Sequence, residues 1–232
     1  MCFSVRINKY IASKNIVSRR EAEKLVLDGR VRINGSVITN LATQVNENDV
    51  IEIESIEDIK NDKIYIKLNK PRGYVCSTNK NEGIPIYKLV KNIKEKIYPV
   101  GRLDKDSSGL IILTNDGVFA KSIIEENSNC EKEYYVKLND DIPDGALKKL
   151  EFGMSLDGKK LKPAKIKRID KYSFYITLTE GRNRQIRRMC EKVGFRVVIL
   201  KRIRIANIFL DSLKEKEYQN LNKDEIDSII KY

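Results

Sequence analysis

One stretch constrains the fold more than any other, Gly101-Arg102-Leu103-Asp104-Lys105-Asp106-Ser107-Ser108-Gly109-Leu110-Ile111-Ile112-Leu113-Thr114. A turn dense in charge and small residues runs directly into the apolar block 110–113. That block is too short for a buried helix and is rich in isoleucine, so it predicts a buried strand. A loop held on the rim of a rigid sheet can present a reactive side chain to a cleft, and Asp104 is the candidate. Asp104, Asp106 and Ser107 are also ordinary turn formers, because Asp and Ser bond their own backbone. Local chemistry leaves both readings open, and the company the stretch keeps decides between them.

Composition narrows the chemistry. A chain of 232 residues can bury one good core or two smaller ones. Lys and Arg number 45 against 33 for Asp and Glu, a formal net charge of +12, which favours a polyanionic partner such as nucleic acid. Histidine is absent, which excludes Ser–His, Cys–His and His–metal mechanisms together. Any acid, base or nucleophile must then come from Asp, Glu, Lys, Tyr, Cys or Ser. Cys2, Cys76, Cys130 and Cys190 form no C-x-x-C pair, so no zinc site is expected and the thiols read as reduced. A charged-then-apolar leader and a long apolar run are both missing, which predicts a soluble cytoplasmic protein without a membrane partner.

At the N-terminus, residues 6–13 read as a short helix with Ile7, Tyr10 and Ile11 on one face, and Asn15 suits a left-handed turn after it. Ser18-Arg19-Arg20-Glu21 has capping-box spacing; Ala22, Leu25 and Val26 follow at helical intervals, and Gly29 ends the helix. Val31 and Ile33 alternate with arginine before Asn34-Gly35, a tight-hairpin signal, with Val37-Ile38 returning and 50–53 adding a strand. Arg19, Arg20, Arg30 and Arg32 fall at helix starts and on the polar side of a strand, which suits phosphate binding or a solvated, ion-paired face. The acidic run to Asp62 reads as a linker.

The second part opens with an alternating strand at 64–68, a turn at 69–73, and extended structure at 74–76. Residues 85–93 read as a short helix. Asn115-Asp116-Gly117 starts another, with Phe119, Ile123 and Ile124 as its apolar face. Glu131 to Leu138 is a strand, so Tyr134 and Tyr135 point to opposite sides, one into the core and one outward or into a cleft. A helix is expected at 143–152, a basic segment at 159–168, and an alternating strand through Tyr172, Phe174, Ile176 and Leu178. In the next helix Ile186, Met189, Cys190 and Val193 form a buried stripe, with Arg184, Arg187, Arg188 and Lys192 expected away from it. Four arginines within residues 182–188 repel one another, so they are expected to meet negative charge, and phosphate is the candidate. Two strands, 197–200 and 202–210, and a terminal helix at 225–232 complete the chain.

The Arg102-Leu103-Asp104 turn with Ser107, Gly109 and Leu-Ile-Ile-Leu-Thr resembles the catalytic motif of RNA pseudouridine synthases, closest to the ribosomal RNA branch of RsuA, RluB, RluE and RluF. The Lys70-Pro71-Arg72-Gly73 turn, the Lys132-Glu133-Tyr134 strand and the helix through Arg187 are similar to its other motifs. Residues 18–35 resemble S4 RNA-binding domains, and Arg204-Ile205 with Asn207 resembles RluF-type large-subunit enzymes. The resemblance implies an α+β fold. A small S4 domain at 1–53 and a linker at 54–62 would precede a catalytic domain at 63–232, with a mixed, largely antiparallel sheet and a central cleft. It implies Asp104 as nucleophile, Tyr134 stacking on the target base and Arg187 pairing with the aspartate, with no cofactor and no metal. Arg102, Arg182, Arg184 and Arg188 join Arg19, Arg20, Arg30 and Arg32 as expected RNA contacts. The expected partner is ribosomal RNA, 23S, free or in immature subunit particles, met by a monomer. The competing expectation is a non-catalytic S4-type RNA-binding protein of ribosome assembly. That protein would share the charge and the N-terminal module but would not need Asp104, Tyr134 and Arg187 together.

Overall fold

The computed structural model of the chain describes residues 4–54, 63–77, 79–125 and 128–230. It divides into two compact units, residues 1–63 with 116–121, and residues 64–115 with 122–232. Apart from Glu54, the expected linker falls outside the described residues. None of the described helices is long and apolar enough to cross a membrane.

The first unit contains β1 (Val5–Arg6), α1 (Ile7–Ser13), α2 (Arg19–Leu27), β2 (Val31–Ile33), β3 (Ser36–Ile38), β4 (Gln44–Val45) and β5 (Ile51–Ile53). The capping box forms as read: the Glu21 amide donates to Ser18 Oγ at 3.3 Å and the Ser18 amide donates to Glu21 Oε2 at 2.6 Å. Burial works to raise the Glu21 carboxyl, but hydrogen bonds from Lys63 and Ser18 outweigh it and hold the group below the ordinary carboxylate range. Asn15 (φ 58°) and Asn34 (φ 52°) take left-handed conformations that asparagine tolerates, and Asn34-Gly35 closes the β2–β3 hairpin. Ile7, Ile11, Ala22, Leu25, Val26 and Val31 pack into one small core. The pair β1–β4 escaped pattern reading, because two-residue strands show no periodicity.

The remaining elements are β6 (Tyr65–Lys70), β7 (Tyr74–Val75), β8 (Ile84–Pro85), β9 (Tyr98–Val100), β10 (Ser108–Thr114), α3 (Gly117–Ile124), β11 (Lys132–Leu138), α4 (Asp144–Glu151), β12 (Ser155–Leu156), β13 (Lys159–Lys160), β14 (Lys165–Arg168), β15 (Ser173–Leu178), α5 (Gln185–Lys192), β16 (Val197–Ile205), β17 (Ile208–Phe209), β18 (Tyr218–Asn220) and α6 (Lys223–Ile230). Among the described residues nine strands form one mixed sheet in the order β14-β15-β11-β16-β10-β6-β18, with β17 on β16 and β9 on β10. Among the described residues its pairings are antiparallel except β10 with β16. The whole of β10 is buried, which is why its block reads as continuously apolar.

Several expectations are corrected. Residues 86–89 form a single 3-10 turn rather than a longer helix, since Pro85 is used in the strand β8. Ile124 is 55 % exposed, so Phe119 and Ile123 alone bury α3. The two strands expected at 197–210 are one long strand, β16, and the short return β17. Asn69 and Lys70, expected in a turn, end β6 and are buried.

Two contacts hold the turn at residues 101–107 to the sheet. At the β10–β16 pairing, Gly109 (φ +100°) lies against Arg202, and a Cβ there would meet the Arg202 carbonyl oxygen at 2.2 Å. Only glycine permits both that backbone and that approach. Below the turn, the Lys70 ammonium is fully buried and donates to the carbonyls of Pro71 (3.1 Å), Asp104 (3.1 Å) and Ser107 (2.6 Å). Three acceptors match its three donors. Burial nevertheless disfavours the charge and pushes its pKa down to about 8.

Gly109→Ala is expected to cost about 2 kcal/mol or more, through backbone strain and a clash no side-chain rotation relieves, measurable by urea denaturation. For Lys70, the folded pKa of about 8 lies below the ordinary 10.5, so the unfolded chain holds the extra proton between those values. Stability must rise with pH through that window. Wild type should therefore gain on Lys70→Met between pH 8 and 10 in paired denaturation curves; a pH-independent difference would refute the assignment.

Candidate active site

A cleft of about 850 Å³ opens where β10 begins and β6 and β15 end, lined by Arg72, Arg102, Asp104, Tyr134, Glu180 and Arg184 among others. The turn before β10 forms one wall. Buried Leu103 anchors it, with Cys76 Sγ lying 3.4 Å from its carbonyl oxygen and 3.5 Å from its amide. The Ser107 amide closes the turn on the Asp104 carbonyl at 3.1 Å. Asp104 is thus carried on a backbone fixed from below by Lys70, while its side chain stays 33 % exposed.

The carboxylates of the cleft are not equivalent. Asp106 receives both Arg184 Nη1 (3.1 Å) and Nη2 (3.2 Å), and Arg187 Nε lies 3.3 Å from its Oδ2. Burial works to raise the Asp106 carboxyl, yet the Arg184 hydrogen bonds and the two guanidinium charges hold it below the usual range. Glu180 accepts from Gln185 Nε2 at 2.9 Å and from the Lys162 amide at 3.0 Å. Asp104 meets Arg184 Nη1 at 3.6 Å, an ion pair beyond hydrogen-bond reach.

The Arg187 expectation is corrected in two respects. Its side chain is only 7 % exposed, and it pairs with Asp106 rather than with Asp104. Nη1 donates to the Val197 carbonyl (3.2 Å), and Nη2 to the Asp106 carbonyl (3.0 Å) and Ser107 Oγ (3.3 Å). Arg187 lies three residues before Cys190, so it borders the buried stripe of α5 instead of opposing it. Burial pushes the guanidinium pKa down, with the aspartates opposing that shift.

Tyr134 lines the cleft, and a register irregularity between Glu133 and Tyr134 turns the strand there. Tyr135 instead meets Tyr175, ring centroids 6.1 Å apart, edge to face. Arg102 is exposed on the cleft wall. Arg182 donates to the carbonyls of Lys159 (3.4 Å) and Lys160 (2.9 Å) and pairs with Glu180 at 3.4 Å. Arg188 pairs with Asp157. In the first unit, Arg19 lies 3.7 Å from Glu23 and Arg32 3.0 Å from Glu54, Arg20 is exposed in α2, and Arg30 is half-buried before β2. Among the described residues no three potential metal ligands converge.

By sequence Lys70 reads as part of a turn, yet it is fully buried at the end of β6. The signal was present: Ile66, Leu68 and Lys70 share one face at a period of two, so the apolar phase of the strand points Lys70 inward. Ser107 reads as a turn former by sequence; its role as an acceptor for Arg187 depends on the packing of α5.

The family model for RNA pseudouridylate synthase matches residues 64–192, and the S4 domain model matches residues 5–51. The ribosomal large subunit pseudouridine synthase B of Bacillus subtilis is 38 % identical over 228 residues, covering 95 % of this chain and 93 % of that protein. The dual-specificity RNA pseudouridine synthase RluF of Escherichia coli K12 is 39 % identical over 231 residues, covering 98 % of this chain and 79 % of the relative. A crystal structure of a pseudouridylate synthase superposes with a TM-score of 0.72 at 33 % identity, covering 97 % of this chain and 99 % of that one. A carboxylate-bearing turn on a cleft, the mixed sheet beneath it and full-length similarity agree, and the chain belongs to the RNA pseudouridylate synthase family, enzymes that isomerise uridine in RNA to pseudouridine.

Proposed function

We propose that the substrate is a uridine of large-subunit ribosomal RNA, that Asp104 is the nucleophile, that Tyr134 stacks on the target base, and that Arg187 positions the turn. The names of the relatives support the substrate: one is a large-subunit enzyme, and the chain spans nearly its whole length. The observation that carries the site assignment is the state of the carboxylates. Asp106, Glu180 and Glu82 each accept a side-chain hydrogen bond, whereas Asp104, 33 % exposed against 37 % for Asp106, meets Arg184 beyond hydrogen-bond reach at 3.6 Å and lines the same cleft as Tyr134.

Isomerisation breaks the bond from the ring nitrogen to the sugar carbon, turns the base, and joins a ring carbon to the same sugar carbon. The nitrogen gains the proton that the carbon loses, so the reaction balances without a co-reactant and calls for no cofactor. The uridine must first leave its stack, because the sugar carbon is shielded within it. A tyrosine face is a sequence-tolerant platform for the extruded base. Arg187 acts through the turn: its bonds to the Asp106 carbonyl and Ser107 Oγ set the backbone that carries Asp104, and its charge favours the ionised form of Asp106.

Residues 1–53 then serve as the S4 domain, with Arg19, Arg20, Arg30 and Arg32 on RNA phosphates, joined by 54–62 to the catalytic domain at 63–232. Arg102 and Arg184 reach RNA at the cleft. Arg182 and Arg188, 32 % and 31 % exposed, offer it the donors left over from their internal bonds. Such an enzyme works in the cytoplasm on free RNA or on immature particles.

Pseudouridine mapping of unmodified ribosomal RNA incubated with the protein should show a new site in large-subunit RNA. Asp104→Asn should slow product formation at least about a thousandfold while binding RNA within a few-fold of wild type. A variant that still forms product at the wild-type rate would refute the nucleophile, and a site confined to small-subunit RNA would refute the substrate. Tyr134→Ala should lose about 10- to 100-fold in kcat/KM through lost stacking, whereas Tyr134→Phe, which keeps the ring, should retain most activity. Equal losses in the two variants would exclude stacking as its role.

A further inference from the structure

Arg184 stands apart from its neighbours in the cleft. It precedes α5 as the N-cap residue in a left-handed conformation (φ 49°), and its side chain is 44 % exposed, against 7 % for Arg187. Its guanidinium is held in the fork-to-fork geometry that matches a carboxylate or a phosphate equally well, here by the two oxygens of Asp106 at 3.1 and 3.2 Å. The same group lies 3.6 Å from Asp104. In the protein alone, therefore, a cleft arginine is neutralised by an internal anion and screens the carboxylate proposed to react.

We propose that the Arg184–Asp106 pair is an exchangeable clamp: Asp106 stands in for a phosphate of the RNA backbone, and bound RNA takes the Arg184 guanidinium from it. The inference rests on the RNA-modifying reading above and adds an occupant and a partner exchange to it. Two features make the exchange feasible. Asp106 is not stranded by it, because the Arg187 guanidinium stays beside it as a counter-charge, with Nε 3.3 Å from Oδ2. Arg187 cannot follow Arg184, because it is buried and three of the four N–H groups on its terminal nitrogens are spent on Val197, Asp106 and Ser107 within the fold. A phosphate offers Arg184 a comparable fork with solvent access, whereas the internal pair is an exposed one of modest worth. Moving Arg184 onto RNA also withdraws the cation nearest to Asp104, so the carboxylate is uncovered when substrate is in place. Asp106 is thus a competitor of RNA and Arg184 its binding residue; neither touches the reacting atoms.

The test is a double-mutant cycle on the full chain. The probe is unmodified large-subunit ribosomal RNA transcribed in vitro, with affinity measured over a range of KCl concentrations and pseudouridine counted in parallel. Asp106→Asn should bind about five- to tenfold tighter than wild type, the gain expected from removing a competing charged hydrogen-bond partner. In the Arg184→Gln background the same substitution should change affinity by less than about twofold. Arg184→Gln alone should flatten the slope of log K against log salt by about 0.7–0.9, one phosphate contact. An Asp106→Asn gain that persists undiminished without Arg184 would be a general charge effect and would overturn the clamp, as would the absence of any gain. Should Asp106→Asn not fold, by circular dichroism, the slope of Arg184→Gln decides by itself: an unchanged slope overturns the proposal. Wild-type protein that neither binds nor modifies this RNA would instead remove the functional reading, and the clamp with it.

Discussion

A buried ammonium is costly unless every donor is met, and Lys70 meets this condition by bringing three carbonyl oxygens from two segments to one point. Two of those carbonyls belong to Asp104 and Ser107, so the residue that ends β6 also fixes the turn that precedes β10. The β6–β10 pairing continues from the same place, Gly109 opposite Lys70 and Leu110 opposite Asn69. Remove that pin and the turn loses the bonds that hold its Asp104 and Ser107 carbonyls from below. The cost of the arrangement shows in the lysine itself, which is driven down to about 8 by its surroundings.

On the solvent side the turn is governed by charge rather than packing. Two aspartates two residues apart would repel each other, and Arg187 of α5 and its N-cap residue Arg184 compensate them unequally. Arg187, buried against β16 and the turn, is structural in its bonds and electrostatic in its effect. Arg184, exposed on a left-handed N-cap, is the adjustable member. The division follows from where each residue sits: Arg187 lies in α5 at the edge of its buried stripe, whereas Arg184 precedes the helix on a left-handed backbone.

The opposite wall comes from β11 and the end of β15. Alternation along β11 sends Tyr134 to the cleft and Tyr135 to the far side, where Tyr175 meets it. The pairing of β10 with β16 brings these walls to the turn, and it depends on a single glycine, since the Arg202 backbone occupies the space a side chain would need. The Arg202 side chain in turn donates to the Leu110 carbonyl at 2.7 Å, bonding β10 just past the two paired residues. This parallel contact is confined to the first two residues of β10, next to the turn that lines the cleft.

Much of this was legible in the residues. The capping box at Ser18, the Asn34-Gly35 hairpin, the buried strand after Asp104 and the buried stripe of α5 are local patterns, set by backbone preference and periodicity over a few residues. The motif resemblance carried the family and pointed to Asp104, Tyr134 and Arg187. What the sequence could not determine was which charged group meets which across the fold. Arg187 and Arg184 are equally basic, Asp104 and Asp106 equally acidic, and Lys70 looked like a turn residue. Their partners come from segments up to 81 residues apart, as for Arg187 and Asp106, and only the closing of β6, β10, α5 and β16 around one point decides the pairing. Periodicity is a property of neighbours along the chain; charge pairing is a property of neighbours in space.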